Sequence, residues 1–327
     1  MRSRFWWAAG VTLVACVLIG VGVGAVPLSP AAVWSALLGH GDPTTIAIVR
    51  SLRLPRVVLA ALVGAGLGMS GAAMQGTLRN GLAEPYLLGV SGGAAVGAVA
   101  AVAFHASAAV GVPLAAFVGA AAAAAVVLSV ARIAGGRADV RLLLMAGVVV
   151  GAFANAAIMV VYATAPPETV RDALWWMMGS VDSAEWHSVR WLAVYVAVGG
   201  TALIVWARDI DALALGDEAA AALGVDVERA SRRVYITAAL VAAATVAAAG
   251  LVGFAGLVVP HIVRAAGLRR HRALIAGTAV VGATLVIAAD IVARSVRPPA
   301  ELPLGAVTAL VGVPFFLVQL RRIAGRT

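Results

Sequence analysis

The chain has 327 residues, 62% hydrophobic and only 12% charged, about half the charged share of a soluble domain, which excludes an ordinary water-soluble fold. Its formal charge is +9 without a single lysine, so all 24 basic residues are arginine; a phosphate-binding loop and a Schiff-base enzyme both require lysine and are excluded. The one cysteine, Cys16, rules out an intrachain disulfide and a cysteine metal cluster.

In chain order, apolar runs fall near 5–26, 57–78, 86–105, 111–132, 142–163, 190–207, 234–253, 255–266, 273–296 and 304–320. They predict an all-α, polytopic membrane protein of about ten transmembrane helices, with residues 1–327 forming a single transmembrane domain. The first run, preceded by Arg2 and Arg4, also reads as a secretory leader. Its length, with Trp6 and Trp7 as interfacial anchors, favours a retained first span. Residues 234–259 are one unbroken apolar run, and Gly250, Gly253, Gly256 and Pro260 predict that it folds back on itself. Ten spans with an inside N-terminus put most arginines inside and both ends in the cytoplasm; nine would turn the arginine-rich C-terminus outward, against the positive-inside rule. The longest connections, 27–56, 164–190 and 208–233, are too short to form domains of their own. "LPRVVLAALVGAGLGMSGAA" and "SRRVYITAALVAAATVAAAG" share a texture and would cross in opposite directions, as inverted repeats do.

The connections carry the polar detail. Arg53 and Arg56 flank Pro55 before the second span, and Arg294 and Arg297 close the ninth. Snorkelling anchors are one reading, yet cations on the outer side run against the positive-inside bias. In "RNGLAEPYLLGVSGG", Asn80-Gly81 is turn chemistry; Pro85 suits the first turn of a helix, with Glu84 at its positive end. Gly89, Gly93 and Gly97 recur every four residues and predict a close packing face. "TVRDALWWMMGSVDSAEW" reads as a short helix on the outer surface, with Trp175, Trp176 and Trp186 at headgroup level. "EAAAALG", Glu218 to Gly224, reads as an alanine-rich loop helix on the inner side.

Other polar residues suggest alternatives. Pro260-His261 has no second histidine at ligand spacing, since the others are His40, His105, His187 and His271, so a satisfied histidine at a helix break is expected and no metal site. Asp290 lies one turn from Arg294 and predicts an i,i+4 pair. It is also the one residue on which a proton-coupled secondary transporter could be built. "GMSG", Gly68 to Gly71, matches the G-x-S-G of rhomboid-type intramembrane serine proteases, which would need Ser70 within reach of a base such as His261. A helix-packing serine is the simpler reading.

"RLPRVVLAALVGAGLGMSGAAMQGTLRNGLAEPYLLGVSGGAAVGAV" closely resembles the FecCD-type permeases of ABC importers for iron-siderophores, haem and cobalamin. So do "LWWMMGSVDSAEW", "LGDEAAAALGV", "GFAGLVVPHIVR", "HRALIAGTAVVGATLVIAADIVAR" and "ELPLGAVTALVGVPFFLVQLRR", covering about residues 50 to 322 in the family's order. The resemblance implies a type II ABC importer permease fold in the bacterial inner membrane, paired with a second copy or a homologue about a central path. It implies two cytoplasmic ATPase subunits that use the ATP, a substrate-binding protein outside, and no cofactor, enzymatic activity or nucleic-acid partner for this chain. The cargo is a metal chelate, iron-siderophore first, with haem and cobalamin as alternatives.

By the same resemblance, Asn80, Gly81 and Leu82 form the inner gate, with Gly81 standing where relatives carry proline, a change expected to loosen the turn. Leu215, Gly216, Asp217, Glu218, Ala220, Leu223 and Gly224, in the cytoplasmic coupling loop 208–233, dock on the ATPase. Arg53, Arg56 and Arg294 receive the binding protein. Residues 138–140, "ADV", stand where relatives place small polar gate residues.

Overall fold

The computed structural model describes residues 2–24, 26–135 and 140–324. Of the stretch 138–140, residues 138 and 139 lie outside the described residues. The helices are α1 (Arg2–Gly22), α2 (Pro30–Leu38), α3 (Pro43–Ala47), α4 (Leu54–Thr77), α5 (Val90–Ala103), α6 (Gly111–Gly135), α7 (Val140–Thr164) and α8 (Pro167–Met178). They continue with α9 (Trp186–Val205), α10 (Ala207–Leu213), α11 (Asp217–Ala222), α12 (Val227–Ala249), α13 (Ala255–Ala265), α14 (His271–Ser295) and α15 (Leu304–Ala324). Seven helical stretches among the described residues are long and apolar enough to cross a bilayer, and the shorter apolar α5, α13 and α15 occupy the three remaining predicted spans.

The connection 27–56 is helical rather than loose. Ser29 caps α2 by accepting from the Ala32 N–H, Pro30 fills its first position, and left-handed Gly39 closes it. Asp42 caps α3 through the Thr45 N–H at 2.9 Å, and that bond holds its carboxyl below the usual range. A π-helical segment, Ile48–Arg53, then joins α3 to α4 without a break. The widened turn makes room for Pro55, which has no N–H to donate and whose ring would crowd the preceding turn.

α4 is the centre of the bundle, buried along most of its length and packed against α9, α12, α13 and α14. Its glycines allow this. Gly64 meets the backbone of Gly282 on α14, Gly68 meets the Thr278 carbonyl, and Gly71 meets the backbone of Gly256 on α13. Arg56 pairs with Asp290 at one end and Gly76 touches His271 at the other, so α4 and α14 are antiparallel over their full length. Leu54 of α4 marks the first of these ends and Thr77 the second. The two similar-textured segments lie on α4 and α12, which pack against each other, with Gly66 touching Val241 and Thr245.

The run 234–259 does fold back. α12 stops at Ala249, residues 250–254 are unwound, and α13 begins at Ala255. With 11 residues, α13 is about 16 Å long, roughly half a hydrocarbon thickness. Gly250 and Phe254 both take positive φ, 68° and 66°, which releases the chain from α12 and re-aims it into α13. Irregular backbone at such depth must be enclosed by protein or line a cavity. Here Tyr86 accepts from the Val252 N–H (3.1 Å), while the Ser180 N–H donates to the Ala249 carbonyl and the Leu304 N–H to the Gly179 carbonyl.

α8 does not simply lie on the surface: its C-terminal end at Gly179 inserts against Gly250 and Leu251, because the broken helix leaves backbone there to be covered. Gly93 and Gly97 meet the backbone of Gly119 and Ala115 on α6, and Gly89 meets Val127 of the same helix and Val150 of α7 through their side chains. Residues Pro85–Leu88 form a 3-10 turn that ends in left-handed Gly89 (φ 84°), so α5 starts one residue later.

A valine at Gly64 should cost about 1–3 kcal/mol through overpacking, read as a lower thermal midpoint in detergent. At Gly10, where nothing lies within 4 Å of the added carbon, the same change should stay within about 0.5 kcal/mol.

Candidate functional site

The polar groups gather at the two ends of α4. At the Thr77 end, the helix closes with the Asn80 N–H donating to the Gln75 carbonyl (3.2 Å) and the Arg79 N–H to the Gly76 carbonyl (3.3 Å), with Arg79 left-handed at φ 51°. The Asn80 side chain then accepts from the Leu82 N–H at 2.9 Å, and the Ala83 N–H donates to the Asn80 carbonyl at 3.0 Å. The turn Asn80–Gly81–Leu82 is therefore tied rather than loose, and it stands exposed. Gly81 has no positive φ; what it supplies is space, since an added carbon would lie 3.2 Å from His261 Nε2. His261 donates through Nδ1 to the Leu257 carbonyl (2.8 Å) and meets Phe316 of α15 edge-on.

The segment after the turn reaches inward. Glu84 is buried, and its carboxylate lies against the main-chain N–H groups of Phe254 and Gly256 at the start of α13, not at the start of its own helix. Gln75 donates to the Gly256 and Leu257 carbonyls (3.3 Å each) and accepts from Arg264 (2.6 Å). Residues on both sides of the turn 80–82 are thus bonded to the broken helix.

Beside the turn stands the segment 208–233. Gly216 and Gly224, both left-handed at φ 115° and 82°, bracket the short α11. Leu215 and Leu223 are 69% and 65% exposed on either side of it; Asp217 and Glu218 lie in its first turn. Ala220 is turned the other way, fully buried against Ala212, Leu213 and Ala230. It anchors α11 and cannot touch a partner. α10 is held by Asp211, which accepts from the His271 main-chain N–H (3.0 Å) and shares its Nδ1 (2.7 Å), and by the ion pair between Asp209 and Arg233. Arg233 in turn stacks over Trp206, 4.9 Å from the ring centre. Neither Asp209 nor Asp211 was singled out in the sequence, although their alternation in "RDID" is a visible signal.

At the Leu54 end, the arginines expected to face a binding protein are spent inside the chain. Arg53, 6% exposed, donates to the carbonyls of Val21, Gly22 and Val26, closing the free end of α1. Arg56 grips Asp290 and Glu301 together, at 2.7 Å each. Arg294, 7% exposed, donates to the Gly20 carbonyl (2.7 Å) and stands 3.4 Å from Asp290. The i,i+4 contact exists, but Arg56 is the principal partner of Asp290. The protease reading has no support in geometry: the Ser70 hydroxyl is buried without a partner, and His261 bonds elsewhere.

A family model, the FecCD transport family, matches residues 12–322. The chain is 41% identical to the cobalamin import system permease BtuC of Halobacterium salinarum over 88% of this chain and 77% of that one. It is 35% identical to the hemin transport permease HmuU of Yersinia pestis, over 96% and 95% of the two chains. A similar 35% relates it to the Fe(3+)-citrate import permease YfmE of Bacillus subtilis, over 95% and 92%. A solved structure described as an inward-facing metal-chelate type ABC transporter superposes with a TM-score of 0.88 at 28% identity, covering 98% of this chain and all of that one.

Removing the arginine of the Leu54-end network should be severe. Arg56→Ala leaves Asp290 buried without its main partner and should cost about 3–5 kcal/mol. The double variant with Asp290→Ala should lose less than the two single losses combined, read by thermal unfolding in a double-mutant cycle.

Proposed function

Because the chain belongs to the FecCD transport family, we propose that it is the permease subunit of an ATP-binding-cassette importer that moves a metal chelate. The observation that carries this reading is the arrangement at the Thr77 end. A tied, exposed turn at 80–82 stands next to a short helix flanked by two exposed leucines, in a chain that has no lysine for nucleotide phosphates. Leu215, Gly216, Asp217, Glu218, Leu223 and Gly224 form the face that meets an ATPase subunit, and Asn80, Gly81 and Leu82 form the gate above it. Two ATPase subunits, a second permease copy or homologue and an external substrate-binding protein complete the transporter.

The Thr77 end is the cytoplasmic one. Arg79, Arg132, Arg229, Arg233 and Arg264 gather there, as the positive-inside rule requires, and both termini fall on that side. The Leu54 end faces the binding protein. Arg53, Arg56 and Arg294 support that surface from beneath, with Arg56 holding the third-exposed Glu301 in place. Relatives named for cobalamin, hemin and Fe(3+)-citrate import match most of this chain at 35% to 41% identity, so cargo identity rests with the binding protein and the iron-siderophore assignment stays first among the three. The proton-coupled alternative loses its foundation, since Asp290 is engaged by Arg56 and Arg294.

Proteoliposomes that contain the permease, its ATPase subunits and the binding protein should take up chelate only with ATP and binding protein, and should continue with a protonophore present. Uptake without ATP that a protonophore abolishes contradicts the reading. Leu215→Asp with Leu223→Asp should reduce co-purification of the ATPase subunits by about tenfold.

A further inference from the structure

The proposed gate and the proposed ATPase contact are joined at one place. α11 packs on α10 and α12, while between it and the end of α4 lies a cavity of about 440 Å³, walled by Leu128, Leu143, Val225, Val227 and Tyr235. Side chains on opposite walls of such a cavity are out of van der Waals contact, so displacement passes between the walls through groups that reach across. Arg79 bridges that gap. Its Nη2 is 3.0 Å from Asp217 Oδ1, and its Nη1 lies 3.4 Å from the position a side-chain carbon would take on Gly216.

Both anchor points have unusual backbone. Arg79 is left-handed at φ 51°, uncommon for any residue but glycine, and Gly216 sits at φ 115°, immediately before Asp217. Each conformation turns its side of the bridge toward the other. The pair is half-exposed, at 41% and 55%, and an exposed ion pair contributes little to stability. Asp217 and Glu218 also place two carboxylates in the first turn of α11, and Arg79 reaches the first of them from the turn 80–82. A second, looser pair, Arg132 with Glu228 at 3.7 Å, spans the same cavity from α6 to α12 and leaves the gate turn untouched.

We propose that the ion pair between Arg79 and Asp217 is the positioning link that carries movement of α11 to the gate turn 80–82. This rests on the importer reading above. When the ATPase subunits shift α11, Asp217 draws Arg79, and the bonds from Arg79 and Asn80 back to Gly76 and Gln75 make the turn swing on the end of α4. Gly216 must remain glycine for the bridge to keep this geometry, since its φ of 115° strains any residue with a side chain.

The test is the amount of chelate moved per ATP hydrolysed in the reconstituted complex. Arg79→Gln and Asp217→Asn should each lower that ratio by about tenfold, and the exchange Arg79→Asp with Asp217→Arg should restore it to within about threefold of the parent. Both side chains are exposed, so the variants fold. An unchanged ratio in the single variants, or a loss that the exchange does not reverse, overturns the link. A parent complex that moves chelate without ATP contradicts the importer reading itself, which separates the two failures.

Discussion

The structure depends on the approach of backbone to backbone along α4. In lipid the surroundings are as apolar as the side chains, so close packing rather than the exclusion of water selects helix partners. Gly64 against Gly282 and Gly71 against Gly256 remove the side chains that would hold α14 and α13 away. This contact fixes the register of three helices at once. It brings Asp290 under Arg56 at one end and His271 beside Gly76 at the other, and it places the start of α13 where Glu84 and Gln75 can reach it.

The second constraint is that polar groups removed from water must find partners. The chain meets it with a few compact clusters. At the Leu54 end, Arg56, Arg294, Asp290 and Glu301 join α4, α14 and the loop before α15. Near the Thr77 end, Gln75 and Arg264 tie α4 to α13. Between them, the unwound 250–254 segment is enclosed by Tyr86, the end of α8 and the start of α15. The first cluster is buried and stiff. The turn 80–82 itself, by contrast, is held by single hydrogen bonds and by the half-exposed pair of Arg79 with Asp217, contacts that exchange at low cost. Rigidity at one end and exchangeable contacts at the other suit the proposed gate, which would open from the ATPase side.

Much of the architecture was legible because membrane helices announce themselves by length and composition. All ten apolar runs appear as helices, and the glycines and proline in 234–259 marked the fold-back. The turn at Asn80 was equally visible, since its chemistry is local. What sequence could not reveal were the long-range partners. Glu84 stands next to Pro85 and looks like a cap for its own helix, whereas its partners lie about 170 residues away at α13. Arg53, Arg56 and Arg294 look like surface cations because topology places them at an end, but topology says nothing of direction. The free carbonyls of α1 and the carboxylates of Asp290 and Glu301 draw them inward. Ala220 was misplaced for a smaller reason: on a helix as short as α11 both faces read alike in the sequence, and the one that carries Ala220 turns to Ala212, Leu213 and Ala230.

The central claim is that the turn 80–82 is the gate on the ATPase side of a substrate path. It is tested most directly by placing a cysteine at Leu82 in a chain whose Cys16 is serine, and labelling the assembled transporter with a thiol reagent that does not cross the membrane. The account predicts labelling from the cytoplasmic side alone, at a rate that changes when ATP and loaded binding protein drive the cycle. Labelling from the outer side in the resting complex, or a cytoplasmic rate indifferent to ATP, contradicts it.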